Sequence, residues 1–221
     1  MPGDLGALCE KNGGRYKRLR KRPRREPQPE VYELKVEGLR LLEHMSEQGL
    51  LDLYYGDESR VSLQPCVPYA WQFKDEDVFM PSTQGRGLNC FALLSRSNEC
   101  HFETTHNAIN ARFIVEQLEG LSWGLKRITV VVLDNAPAHV AKQVQVCREA
   151  WQQRGLFLFY LPPYSPQLNI AEVLWRKLKY HWLQAQDYLD TQTLFYRVRQ
   201  ALAAVGTLLK IHFTPFQHGL T

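Results

Sequence analysis

The feature that most constrains the fold is the unbroken apolar run at residues 128–133, which reads Ile-Thr-Val-Val-Val-Leu. Because successive side chains of a strand point to opposite faces, a strand formed here would bury both of them. Such strands lie inside sheets that helices cover on both sides. The run ends at Asp134, followed by Asn135-Ala-Pro-Ala-His139. The sequence therefore predicts an α/β protein, with Asp134 at the carboxyl end of a buried strand and a helix beginning near residue 138.

Two further acidic residues stand in contexts that could bring them to the same place. Residues 51–55 alternate like a strand and lead into Asp57. Downstream, a proline-rich turn leads into an amphipathic helix, for which Asn169 is the predicted N-cap and Glu172 the third residue. Two interpretations of Glu172 stay open, namely a carboxylate at the rim of the core and the capping-box partner of Asn169.

That helix also predicts its own buried face. At about 100° per residue, the apolar side chains of this segment gather on one stripe. The stripe consists of Ala171, Leu174, Trp175, Leu178 and Trp182. Glu172 lies about a quarter-turn from it, next to the positive charges of Arg176 and Lys179.

These acidic segments resemble the catalytic domain of DDE transposases, and most of all the bacterial insertion-sequence branch of the mariner superfamily. The resemblance rests on three segments: Asp-Glu-Ser at 57–59, Asp-Asn-Ala-Pro-Ala-His at 134–139, and Pro-Tyr-Ser-Pro-Gln-Leu-Asn at 163–169 followed by Glu172 and Trp175. It extends from about residue 15 to residue 205. The family usually has Asn-Pro-Ile-Glu where this chain has Asn-Ile-Ala-Glu at 169–172. The missing proline removes some pre-organisation of the helix but leaves the glutamate in register.

The resemblance implies a ribonuclease H-like mixed sheet flanked by helices, and a site for DNA cleavage and strand transfer. It implies that Asp57, Asp134 and Glu172 are catalytic and that together they hold two metal ions, either Mg²⁺ or Mn²⁺. Three gathered carboxylates repel one another unless cations lie between them, and oxygen ligands favour these metals. Asn135 and His139 are possible accessory residues, although each could instead serve only local capping or hydrogen bonding. Glu58 is expected to face away from Asp57, because neighbouring strand residues do.

The basic residues divide the chain into an extended basic arm or linker, residues 1–30, and a catalytic domain, residues 31–221. The net charge is +4, yet residues 15–25 carry eight basic residues and no acid, so the remainder carries −4. A basic arm of this kind binds DNA phosphates, unless it serves only as a solvated linker. The residues predicted to bind DNA are Arg18, Arg20, Lys21, Arg22, Arg24, Arg25, Arg176 and Lys179.

The remaining signals concern compartment and partners. The five cysteines form no Cys-x-x-Cys pair, which argues against a zinc site and is typical of a reducing cytosol. The sequence has no apolar run long enough to span a membrane, so a cytoplasmic, nucleoid-associated bacterial protein is predicted. The expected partner is DNA, both transposon ends and target. Mariner-type enzymes carry helix-turn-helix modules ahead of this domain, so a separately encoded N-terminal half or a second transposase copy is expected too.

Periodicity predicts a helix at 30–48 and strands at 51–63, 70–80 and 88–94. It then predicts a helix capped by Asn107 at 107–118, a strand at 128–133, a helix at 138–154, a strand at 156–160, the Glu172 helix and a last helix at 191–205. Two other functions stay open: a ribonuclease H-like nuclease that cuts without strand transfer, and a non-catalytic DNA-binding remnant that interferes with a full-length transposase.

Overall fold

A mixed five-stranded sheet forms the centre of the protein, with the strand order β3-β2-β1-β4-β5. The computed structural model describes residues 28–64, 74 and 86–216. The strands are β1 (Asp52–Val61), β2 (Leu88–Leu94), β3 (Cys100–Thr105), β4 (Thr129–Leu133) and β5 (Leu156–Tyr160). β1 pairs antiparallel with β2 and parallel with β4. In the described residues, three strands are followed by alternating helices and strands, which is the predicted order, but only the first and third of the three predicted strands are among them.

Helices cover both faces of the sheet. They are α1 (Pro29–Glu47), α2 (Ala111–Trp123), α3 (Lys142–Gln153), α4 (Ala171–Lys177) and α5 (Thr191–Ala203). One face packs against α1, α4 and α5, and the other packs against α2 and α3. β4 is buried at all five positions, as its apolar run predicts. None of the described helices is long and apolar enough to cross a membrane.

Several predicted boundaries are wrong. The third strand is Cys100–Thr105, which was not predicted, whereas the predicted strand at 70–80 lies outside the described residues except at residue 74. Helix α2 begins at Ala111, because Asn110 rather than Asn107 accepts the capping hydrogen bond from the Phe113 backbone N–H at 3.0 Å. Helix α3 begins at Lys142 rather than at residue 138.

The Glu172 helix also differs in detail from its prediction. α4 begins at Ala171 with Ile170 as its N-cap, so Glu172 is its second residue. A π-helical turn, Leu178–Trp182, follows it directly. The predicted apolar stripe is buried at its first four positions, and Trp182 is partly buried. The helix therefore packs on the sheet as predicted, with Glu172 on its exposed side.

Candidate active site

Asp57 lies within β1 and points toward α4. The Trp175 indole N–H donates to its Oδ2 at 3.0 Å. Burial and, after it, the nearby carboxylates of Glu172, Glu58 and Asp134 together raise the pKa of Asp57 to about 7. Asp57 is therefore only partly ionised at neutral pH, and a neighbouring positive charge would favour its ionised form.

Asp134 directly follows β4 and is held on one side only. Its Oδ1 accepts hydrogen bonds from the Ala136 backbone N–H at 2.9 Å and from the His139 ring at 2.7 Å. The bond from His139 lowers the pKa of Asp134, against the opposing effect of burial. Its Oδ2 has no hydrogen-bond partner among the described residues, and the side chain is half-exposed. Asp134 is thus an oriented anion with one oxygen free for a ligand.

His139 connects Asp134 to Glu58. The imidazole is fully buried, and its Nε2 lies 3.1 Å from Glu58 Oε2. Burial by itself would lower the pKa of His139, but the two carboxylates overcome this and raise the pKa to about 9. The ring is therefore a cation between two anions at neutral pH. Sequence reasoning correctly placed Glu58 on the opposite strand face from Asp57 but missed its contact with His139.

Asn135 joins two loops rather than capping a helix. Its side-chain amide donates to the Leu161 carbonyl at 2.7 Å, which ties the loop after β4 to the loop after β5. Both loops border the same cavity. The possible capping role of Asn135 is therefore wrong, because α3 begins seven residues later, at Lys142.

Glu172 completes an acidic cavity. A space of about 320 Å³ is lined by all three acids, which come from a strand, a strand end and a helix; these are Asp57, Asp134 and Glu172. The capping-box interpretation of Glu172 is wrong, because the Asn169 backbone N–H bonds to the Pro166 carbonyl at 3.0 Å. No hydrogen bond to the Glu172 carboxylate is formed by any described residue. All three predicted acids thus face one opening.

The predicted cations Arg176, in α4, and Lys179, in the π-helical turn that follows it, lie beside these acids. A second cavity of about 630 Å³ adjoins the first, and it is lined by Asp57, Glu172, Arg176 and Lys179 among others. The remaining predicted DNA-binding residues lie outside the described residues; these are Arg18, Arg20, Lys21, Arg22, Arg24 and Arg25.

The donor atoms of this cavity fit a hard cation. In the described part of the chain, no three His, Cys, Asp or Glu side chains are already arranged as a metal site. However, Asp134 Oδ2 and the Glu172 carboxylate form no hydrogen bond with any described residue, and repulsion between the carboxylates contributes to the raised pKa of Asp57. Oxygen donors that repel one another around an open space are what Mg²⁺ or Mn²⁺ would stabilise.

Comparison with known proteins supports the fold. The family described as DDE superfamily endonuclease matches residues 52–195, which include Asp57, Asp134 and Glu172. The Mos1 mariner paired-end complex with Mn is 18% identical with a TM-score of 0.61, covering 90% of this chain and 62% of that one. The corresponding complex with Mg is 17% identical with a TM-score of 0.59, covering 88% and 61%.

A more distant likeness is to the simian T-cell lymphotropic virus intasome, which is 16% identical with a TM-score of 0.51 and covers 76% of this chain and 53% of that one. The predicted ribonuclease H-like fold is thereby confirmed. The chain spans about three fifths of the length of the Mos1 chains in the Mn and Mg complexes. No curated protein matches the sequence significantly.

Proposed function

The chain belongs to the DDE superfamily endonuclease family, and we propose that it is the catalytic domain of a mariner-superfamily transposase of the bacterial insertion-sequence branch. Its activity is the cleavage of DNA strands at transposon ends and their transfer into target DNA. One observation carries the proposal: Asp57, Asp134 and Glu172, from three separate elements, line a single cavity. The Mos1 complexes with Mn and Mg are consistent with the metal requirement.

In this proposal Asp57, Asp134 and Glu172 hold two Mg²⁺ or Mn²⁺ ions. When bound, the ions would activate the attacking oxygen and neutralise charge on the scissile phosphodiester. Trp175 fixes one oxygen of Asp57, and His139 fixes one oxygen of Asp134, so the free oxygens face the cavity. Phosphoryl transfer depends mostly on such positioning, because little covalent work is required of the protein.

The DNA contacts follow from charge. Arg176 and Lys179 border the acidic cavity, where they would bind phosphates that flank the reacting one. The basic run at 15–25 would add contacts that do not depend on DNA sequence. Helix-turn-helix modules recognise the sequence of the transposon ends, and these modules belong to a separately encoded N-terminal half or to a second transposase copy. The place of action is the bacterial cytoplasm and nucleoid.

The experiment combines Mn²⁺-dependent cleavage and strand-transfer assays with thermal melts recorded with and without Mn²⁺. The variants are Asp57→Asn, Asp134→Asn and Glu172→Gln, and the matched control is Glu116→Gln, an exposed carboxylate on α2. Each active-site variant should lose most cleavage and most of the Mn²⁺-induced rise in melting temperature. The control should keep both.

Other outcomes would favour the two alternative functions. Cleavage without joining to target DNA would indicate a nuclease. DNA binding without cleavage, together with an unchanged melting temperature in Mn²⁺ for the wild type, would indicate a non-catalytic remnant. A wild-type Mn²⁺ shift in all three active-site variants would contradict the assigned ligands.

A further inference from the structure

A groove on the β3 side of the sheet has a lining that the proposed chemistry does not use. It measures about 400 Å³ and lies between α5 and the end of β3, lined by Arg86, His106, Thr191, Gln192, Phe195, Tyr196 and Arg199. Two arginines line it, and the residue Tyr196 is 63% exposed. The described lining residues include no carboxylate. A positive groove with an exposed aromatic ring is typical of sites that hold single-stranded nucleic acid.

The groove is already ordered by protein contacts. Arg199 Nε donates to Thr104 Oγ1 at 2.9 Å, which leaves its two terminal nitrogens without a partner among the described residues. The His106 ring lies 5.1 Å from the ring of the buried Phe195, measured between centroids. These contacts hold the cation and the imidazole at the groove before any ligand binds, which lowers the entropy cost of binding.

The groove and the second cavity are separated by two strand pairings of the sheet. Ser59, which lines the second cavity, pairs with Cys90 in β2, and Cys90 pairs with Thr104 in β3. Thr104 is the residue to which Arg199 of the groove donates. The positive residues therefore continue from the acids toward α5.

We propose that the groove binds one nucleotide of an unpaired DNA strand, with its phosphate on Arg86 and Arg199 and its base stacked on Tyr196. This inference rests on the proposed function only in taking DNA as the substrate. The nucleotide belongs to the strand that continues past the scissile phosphodiester. The groove thus extends the contacts of Arg176 and Lys179 along the same strand.

The test is fluorescence anisotropy with single-stranded and duplex oligonucleotides over a range of salt concentrations, without divalent metal. Arg199→Gln should weaken single-strand binding and reduce the salt slope by about 0.7, the value for one phosphate that is no longer neutralised. Tyr196→Ala should weaken it about tenfold at an unchanged salt slope, because the variant removes stacking rather than charge. Arg112→Gln, at an exposed cation on α2, is the matched control and should change neither.

Wild-type affinity and slope in both groove variants would overturn the inference, and so would a weakening confined to duplex DNA. The assay does not depend on cleavage. An enzyme that fails to cut but shows both groove effects would contradict the proposed function and leave the groove supported.

A second, independent observation concerns Glu58. Its Oε2 and His139 Nε2 are both buried and lie 3.1 Å apart as an ion pair, and neither atom forms a hydrogen bond with any described residue. The opposite ring nitrogen, Nδ1, contacts Asp134 Oδ1 at 2.7 Å. The ring cannot turn without breaking both interactions, and Phe91 packs edge-on against it at 6.4 Å between centroids.

We infer that Glu58 is a positioning residue for Asp134, acting through His139. Glu58 holds the ring at Nε2, on the side opposite Asp134. It thereby determines that Oδ1 of Asp134 contacts the ring and that Oδ2 is left for a ligand in the cavity. A carboxylate behind a histidine commonly orients the group that binds metal. This inference rests on the proposed role of Asp134.

The test compares wild type, Glu58→Gln and the matched control Glu116→Gln. The Mn²⁺ dissociation constant of each native protein is measured by electron paramagnetic resonance. Glu58→Gln should weaken Mn²⁺ binding about tenfold or more, the usual effect of removing such a support. Glu116→Gln should bind like wild type. A lower melting temperature with unchanged Mn²⁺ affinity would overturn the inference and leave Glu58 a merely structural residue.

The His139 ring gives a readout that does not require metal. In ¹⁵N NMR spectra of the metal-free protein, Glu58→Gln should shift the Nδ1 signal as well as the Nε2 signal, because the ring moves relative to Asp134. An unchanged Nδ1 signal would also overturn the inference. Absence of Mn²⁺ binding by the wild type would contradict the proposed function alone, since the ring signals still report on the Glu58 contact.

Discussion

At the scale of single residues, the two aspartates of the cavity are in opposite electrostatic states. Burial and neighbouring carboxylates raise the pKa of Asp57 to about 7, whereas the His139 contact lowers the pKa of Asp134. Asp57 therefore opposes folding when it ionises without a cation, while ionised Asp134 supports folding. The same substitution, aspartate to asparagine, should have opposite effects at the two positions.

This difference predicts a pH dependence for the metal-free protein. Because the folded protein binds the Asp57 proton more tightly than the unfolded chain does, the Asp57 contribution to stability falls as pH rises from about 4 to about 7. Asp57→Asn should remove this fall, so that at pH 7.5 the variant is at least as stable as wild type. Denaturant unfolding at several pH values measures it.

Asp134→Asn should behave in the opposite way. A lowered pKa supplies stability above the unfolded value of about 3.8, and that stability is lost as pH falls through the folded pKa. The variant should be less stable than wild type at pH 7.5, also because His139 loses a charged partner. Equal stabilities of the two variants at pH 7.5 would contradict this assignment.

At the scale of elements, α4 is joined to β1 next to Asp57 by hydrogen bonds. The Asn169 amide donates to the Gly56 carbonyl at 3.0 Å, and its side-chain oxygen accepts from the Ala171 N–H at 3.1 Å. One side chain thus joins the start of the helix that carries Glu172 to the strand that carries Asp57. The spacing of the two acids follows from this contact.

Gly56 is the position in β1 where no side chain fits. A Cβ built there would lie 2.6 Å from Leu133 Cδ2 and 3.0 Å from Leu93 Cδ2, both in the core. Gly56→Ala should lower the free energy of unfolding by about 1–3 kcal/mol through overpacking. Gly120→Ala is the matched control, because that site in α2 has open space and should gain about 0.5–1 kcal/mol. Denaturant melts that rank the two variants the other way would contradict the packing argument.

At the scale of the whole molecule, a buried ion pair joins segments far apart in the chain. Glu43 of α1 is 4% exposed and accepts hydrogen bonds from Tyr55 in β1 and from Arg96 Nε, the latter at 2.6 Å. Arg96 also donates to the Thr214 carbonyl at 2.9 Å. Helix, sheet and C-terminal segment therefore share one charged network.

Removing the cation from this network should be costly. Arg96→Ala leaves the Glu43 carboxylate buried without its counter-charge, so the free energy of unfolding should fall by about 3 kcal/mol or more. Arg40→Ala is the matched control, because Arg40 pairs with the exposed Glu37 and should cost under about 1 kcal/mol. If urea melts show that Arg96→Ala lowers the free energy of unfolding as little as Arg40→Ala does, the network adds little to stability.

The basic run at 15–25 should affect how tightly the whole protein binds DNA, whatever the DNA sequence. Deleting residues 1–27 should weaken non-specific duplex binding and flatten its salt dependence by about 0.9 log unit for each phosphate that the run would otherwise neutralise. Anisotropy measured over a salt series checks this. An unchanged slope would mean that the run is a solvated linker.

Local pattern alone determined the framework of this protein. The apolar run at 128–133 predicted β4, and the stripe on α4 predicted its buried face, because both signals repeat over short distances along the chain. Asp57, Asp134 and Glu172 were likewise identified from motifs next to those elements. Their convergence on one cavity followed once the parallel pairing of β1 with β4 set Asp57 near Asp134, and once α4, which carries Glu172, packed against β1.

Only the tertiary structure decided the contacts between distant segments. β3 has half-exposed, mostly polar positions without an apolar run, so its hydrogen bonds to β2 rather than its composition make it a strand. The Glu58–His139 contact joins residues eighty-one positions apart, and the groove of Arg86 and Arg199 joins residues still further apart. A single sequence carries no periodic signal for such pairs, because each depends on how the sheet brings separate elements together.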